Sequence, residues 1–198
     1  MVEYGVAKYV LPGQGESGDH HLVCCNRSGI LIAAIDGIGH GEEAASVSKA
    51  AAALIRSAAD EPIISLVERC HEKLRSTRGV VLSLAFVNPE HGMMTWLGVG
   101  NVHGVLMRSD AKNGNSQESL LLRAGVVGSQ LPALQATVIP VAKGDTLFFA
   151  TDGIRSDFPA TLSPRENPQR AADRILDQYG SGNDDALVLV TRITGVNR

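Results

Sequence analysis

The stretch Gly29-Ile30-Leu31-Ile32-Ala33-Ala34-Ile35-Asp36-Gly37-Ile38-Gly39-His40-Gly41 changes character at its centre. Up to Ile35 it is a short continuous apolar run, the pattern of a buried strand. It then meets a carboxylate, Asp36, and becomes glycine-rich. From Glu42 to Ala59 the chain is alanine-rich, with Ala45, Ala52, Leu54 and Ile55 near helical spacing. Glu42 and Glu43 complement the dipole at the start of that helix. A buried strand thus delivers Asp36 to the edge of a core, and a glycine turn leads from it into a helix.

The same device recurs along the chain. Asp152 follows the apolar strand Leu147-Phe148-Phe149-Ala150-Thr151 and precedes Gly153. Asp184 and Asp185 stand directly before the apolar strand Ala186-Leu187-Val188-Leu189-Val190, and Asp19 opens a strand in Gly18-Asp19-His20-His21. A strand end holds a carboxylate rigidly where desolvation makes an unpaired charge costly. Several converging there would repel one another unless a cation joined them. Oxygen-rich clusters suit Mg²⁺ and Mn²⁺ better than zinc, and no His/Cys ligand set competes. Two such ions, roughly 3.5–4 Å apart, can share a carboxylate and acidify a bridging water. Each Asp-Gly alone reads as a turn or helix cap; the ordered combination carries the argument.

The rest of the chain fits one domain over residues 1–198. Strands are predicted over Tyr4 to Val10, His21 to Asn26, Val80 to Val87, Met93 to Val99, Val102 to Arg108 and Ser119 to Arg123. Asn88-Pro89-Glu90-His91-Gly92 signals a hairpin. Leu134 to Val141, Lys143-Gly144-Asp145 and Thr146 to Ala150 read as a second one. Asp110 to Gln117 reads as an exposed loop. Pro62 opens a second helix with an apolar stripe through Ile64, Leu66, Val67, Cys70 and Leu74, and a third helix spans Pro168 to Tyr179. Hairpins with helices grouped apart argue for α+β rather than alternating βαβ.

With 44% hydrophobic and 20% charged residues the composition is that of an ordinary globular domain. Its 18 basic against 21 acidic residues offer no nucleic-acid surface. Met1 to Leu11 lacks the pattern of a signal peptide and no apolar run is long enough to span a membrane, so a cytoplasmic protein is expected. Cys24, Cys25 and Cys70 lack metal-ligand spacing and read as reduced thiols.

Taken in order, four segments resemble the metal-dependent PPM protein phosphatases in their compact bacterial SpoIIE-like branch. They are Gly18-Asp19, Asp36 to Gly41, Gly144-Asp145 through Asp152-Gly153, and Asn183 to Ala186. Leu97 to Asn101 and Gly125 to Leu131 are similar to further family segments. Small size and the Asp-Gly-x-Gly-His-Gly form are most like the stressosome-feedback members of that branch.

The resemblance implies an αββα sandwich of two antiparallel sheets flanked by helix pairs. It implies two Mn²⁺ or Mg²⁺ ions, with Asp36 bridging both and the Gly37 carbonyl on the second. Asp152 and Asp184 would hold the first ion, with Asp184 rather than Asp185 as ligand, and Asp19 would act through metal-bound water. A metal-bridging hydroxide would then attack phosphoserine or phosphothreonine in line, on a protein substrate such as STAS-domain stressosome components.

Several departures bear on the site, among them that neither Lys8 nor Arg27 matches the N-terminal arginine with which larger relatives grip phosphate. Larger relatives have a histidine proton donor directly after Asp-Gly, where Ile38 stands, which leaves His40 a modest catalytic role. Asn101 stands where those relatives have an aspartate. Two other readings stay open: a phosphoprotein-binding pseudophosphatase, and a different two-metal phosphoesterase. Metal-dependent phosphate release discriminates the first, and comparison of phosphopeptide, nucleotide and oligonucleotide substrates the second.

Overall fold

The computed structural model describes residues 1–110 and 117–195, so most of the predicted loop Asp110 to Gln117 lies outside the described residues. One sheet contains β1 (Val2–Tyr9), β11 (Ala186–Ile193), β10 (Thr146–Ala150), β6 (His103–Met107) and β7 (Gln117–Ser119), in that spatial order. The other runs β2 (Asp19–Cys25), β3 (Ile30–Gly37), β4 (Val80–Asn88), β5 (Met93–Val99) and β8 (Leu122–Arg123), with β9 (Thr137–Pro140) also paired to β5. All pairs are antiparallel except β5 with β8. The fold is α+β, with four layers.

Strand alternation builds those layers. Ile32 and Ala34 of β3 pack with Phe149, Leu187 and Leu189 of the opposite sheet in a core between the sheets. Leu31, Ala33 and Ile35, on the other face of β3, pack under α1 (Gly41–Ser57) and α2 (Ile63–Leu74). Phe148, Val188 and Val190 pack under α3 (Pro168–Tyr179). Central strands covered on both faces read as unbroken apolar runs, although their pairing is antiparallel. The Met93, Met94 and Trp96 stretch belongs to this packing, with Met94 and Trp96 buried between the sheets.

Two strand expectations are corrected. Leu134 to Ala150 is not a hairpin: β9 joins β5 while β10 lies between β11 and β6 in the other sheet. The Lys143-Gly144-Asp145 turn is a crossover, pinned by the buried Asp145 carboxylate. That carboxylate accepts from Ser109 N at 2.8 Å, Arg108 Nη1 at 3.0 Å and Ala142 N at 3.1 Å. Ser119 to Arg123 is likewise two strands in different sheets, β7 and β8, joined across the buried Leu120.

Candidate metal centre

The strand ends predicted to carry chemistry meet at one end of the sandwich. Asp19 of β2 is the register partner of Asp36 of β3, and Asp36 shares the inward alternation of Ile32 and Ala34. From the other sheet come Asp152, beyond β10, and Asp184 and Asp185, ahead of β11. These five aspartates line a cavity of ≈ 560 Å³ together with Ile38, Gly39, His40, Gly100, Asn101 and Gly125 among others, and among the described residues no lysine or arginine lines it. Gly37 is buried and is not among the lining residues; a Cβ there would stand 2.2 Å from the Ala44 carbonyl oxygen of α1. His40 is exposed at the N-cap of α1 and makes no side-chain capping bond.

The carboxylates are not equivalent. Asp36 has no hydrogen-bonding side-chain partner among the described residues; burial pushes its carboxyl up to about 8, helped by the charges of Asp19, Asp152, Asp184 and Asp185. Burial raises Asp19 to about 7, against the pull of the Thr151 hydroxyl, which donates to Asp19 Oδ2 at 2.7 Å. Burial also raises Asp152, while Asn101 Nδ2 donates to its Oδ2 at 2.7 Å and stabilises the charge. Asp184 is exposed, and one of its oxygens accepts from Asp185 N at 2.8 Å.

Asp185 is committed elsewhere. Its two oxygens accept from Leu11 N at 2.8 Å and Gly18 N at 2.7 Å, tying the β1–β2 connection to the start of β11. Asp185→Ala is therefore expected to destabilise the protein by about 2–4 kcal/mol, because charge-assisted bonds are lost and amide donors are stranded. Chemical denaturation checks this. A loss below about 0.5 kcal/mol would contradict the tethering role. The functional residues missed in the sequence are Thr151, read only as the end of a strand, and Asp185 as a tether; the inward alternation after Phe149 was the available signal for Thr151.

The donor set fits hard divalent cations. It is all oxygen, it concentrates negative charge with no lysine or arginine among the described residues on the wall (Lys8, outside it, donates from Nζ to the Asp19 carbonyl at 3.2 Å), and Asp36 has no side-chain hydrogen-bond partner among those residues. Among the described residues no three His, Cys, Asp or Glu side chains are grouped tightly enough to enclose an ion unaided. The carboxylates would therefore have to draw together, with waters completing the shell, to hold such an ion.

The raised carboxyls have a consequence for stability. Asp36 holds its proton in the folded state up to about pH 8, whereas its ordinary value is 3.8. Between those values the folded state binds more protons than the unfolded one, so metal-free stability falls as pH rises. Melting of chelator-treated protein from pH 5 to 8.5 is expected to decline monotonically, and added Mn²⁺ to restore more stability at pH 8 than at pH 6. A rising profile without metal would overturn the proximity of these charges.

Comparison with known proteins places the chain in a family. Residues 26–194 match the family described as stage II sporulation protein E (SpoIIE). The chain belongs to that family, and its fold is that of a PPM-type phosphatase domain. It is 24% identical over 189 residues to the phosphoserine phosphatase RsbX of Bacillus subtilis (strain 168), covering 94% of this chain and 93% of RsbX. The crystal structure of RsbX in complex with magnesium superposes with a TM-score of 0.85 at 22% identity, covering 98% of this chain and 96% of that one. A chain solved in work on the bacterial stressosome as a modular system controlling secondary messenger signalling matches with a TM-score of 0.87 at 28% identity, covering 97% of this chain and 100% of that one.

Proposed function

We propose that this chain hydrolyses phosphoserine or phosphothreonine on a protein partner, using two Mn²⁺ or Mg²⁺ ions. Asp36 would contact both, Asp152 and Asp184 one, the Gly37 carbonyl the other, and Asp19 would act through water. The observation that carries this reading is a cavity lined by five aspartates and, among the described residues, by no lysine or arginine. Such charge disfavours a phosphate unless cations offset it. When bound, the ions supply Lewis-acid charge for the phosphoryl oxygens and make hydroxide accessible near neutral pH.

The chain's own groups position and tune. Asn101 and Thr151 orient Asp152 and Asp19, as outer-shell donors do at metal sites. Asp36, with no side-chain hydrogen-bond partner among the described residues and facing other carboxylates, would release its proton on holding a cation. His40 stands exposed at the mouth and contributes modestly, so His40→Ala should keep most of the rate. The cysteines need no role, since buried Cys70 has its thiol pushed up to about 11 by burial, far from a reactive thiolate.

A pure phosphoprotein-binding module would have little reason to maintain this costly cluster. Similarity to RsbX and to a chain from stressosome work favours STAS-domain stressosome proteins as the substrate class, in the cytoplasm. Among the described residues no helix is long and apolar enough to cross a membrane.

The test is phosphate release from a phosphothreonine peptide and a phosphorylated STAS-domain protein, metal-free and with Mn²⁺. Metal-dependent release that disappears in Asp152→Asn is expected. Failure of both substrates, together with no Mn²⁺ binding by calorimetry, would overturn the reading.

A further inference from the structure

A phosphorylated side chain has to approach a cavity whose wall, among the described residues, carries no lysine or arginine, so the surroundings of that wall matter. Gly39 lines the cavity in the left-handed region, with φ +101°. A Cβ built there would lie 2.8 Å from Nη1 of Arg78. The guanidinium therefore rests against the turn that follows Asp36, in space that only a glycine leaves open.

The segment carrying Arg78 is firmly held. Ile38 N donates to the Gly79 carbonyl at 3.1 Å, and Val80 and Val127 exchange backbone bonds of 2.9 Å. The Thr77 hydroxyl donates to the Leu74 carbonyl at 2.7 Å and accepts from Gly79 N at 3.1 Å. The guanidinium is less constrained: Nη2 meets Glu43 Oε2 at 2.6 Å, with the two side chains 55% and 70% exposed. An exposed pair of this kind contributes little, so its partner can be exchanged cheaply. A rigid backbone and a releasable cation are the properties of a preorganised anion receptor.

We propose that Arg78 is a substrate-binding residue that leaves Glu43, with which it lines a neighbouring hollow, to take the phosphate oxygens of the substrate beside the Gly39 turn of the aspartate cavity. This deepens the phosphatase reading and rests on it for the identity of the anion. The planar fork of arginine suits two phosphate oxygens at once, which a lysine cannot reproduce. Glu43 acts as a placeholder, competing with the substrate for the same donors.

The competition gives a sign test. With Mn²⁺ present, the dissociation constant of inorganic phosphate is measured by calorimetry, and kcat and KM on a phosphoserine peptide by phosphate release. Arg78→Ala is expected to weaken phosphate binding and raise KM by about tenfold, with kcat within about threefold, the loss of one charged hydrogen-bonding contact. Arg78→Lys should recover part of this, and Glu43→Gln should shift both constants the opposite way, toward tighter binding.

If Arg78 only braced the Gly39 turn through Glu43, the two substitutions would act in the same direction, which would overturn the proposal. So would an equal effect from Arg75→Ala, which removes the same charge from the exposed Arg75–Glu72 pair. Metal-dependent turnover with unchanged constants in Arg78→Ala would sink this inference alone. Phosphate binding that depends on Arg78 without any turnover would support it and sink the phosphatase reading. Neither binding nor turnover in the unmodified protein would sink both.

Discussion

Asp36→Asn is expected to lower metal-dependent phosphate release by about a thousandfold or more, the scale of losing several kcal/mol of metal-derived stabilisation. The fold should survive intact. Asparagine is nearly isosteric, and no side-chain hydrogen bond among the described residues holds the Asp36 carboxylate in place. The substitution removes the member of the cluster that faces Asp19, Asp152, Asp184 and Asp185 together. Metal-free Asp36→Asn should therefore melt higher than the parent at pH 8, because a group that resisted ionisation is gone, and at the same temperature near pH 4. Calorimetric titration with Mn²⁺ should show the loss of at least one binding event. A variant keeping more than about a tenth of the activity would place the ion-binding carboxylates elsewhere.

Gly153→Ala should damage the same site from beneath. A Cβ at this position would stand 2.0 Å from the Asp185 carbonyl oxygen and 2.8 Å from the Ala186 Cβ. Both belong to the entry of β11, and Gly153 O also accepts from Ser181 N at 2.8 Å. The turn after Asp152 and the approach to Asp184 are packed backbone to backbone, and neither can yield without moving a carboxylate.

Overpacking of this severity is expected to cost about 3 kcal/mol, or roughly 10 °C in melting temperature for a chain of this size. Separating the two aspartates should also weaken Mn²⁺ binding by about ten- to a hundredfold, the range seen when the support of a metal ligand is lost. Gly182→Ala is the control, since Gly182 has φ +72° but nothing within 4 Å of a built Cβ. It should cost only about 1 kcal/mol of backbone strain and leave metal binding alone. Equal melting temperatures for the two variants would refute the packing argument.

The strand Gly29 to Ile35 and the Asp-Gly after it were legible because burial on both faces leaves a run that only a core strand produces. The aspartate ends were legible for a related reason: a carboxylate beside such a run stands out. What remained hidden depends on the third dimension. Asp184 and Asp185 are adjacent in sequence, yet Asp185 is buried on two amides and Asp184 is exposed in the cavity. Lys143-Gly144-Asp145 has hairpin composition, but partners 36 and 37 positions earlier, Ser109 and Arg108, turn it into a crossover. Arg78 lies 39 positions from Gly39, and no local pattern announces that the two touch.

The position of β11 has a consequence for the order in which the enzyme can come into being. Among the described residues β1 joins its sheet through β11 alone, with Val2 opposite Ile193, and β11 also places Asp184. On the ribosome, β1 emerges early and must wait, with no neighbouring strand, until β11 leaves the exit tunnel. The proposed metal cluster would be completed by the same late event. A nascent chain therefore cannot strip phosphates from its targets before its own first sheet has closed, and the appearance of activity coincides with the end of exposure of an unpaired strand.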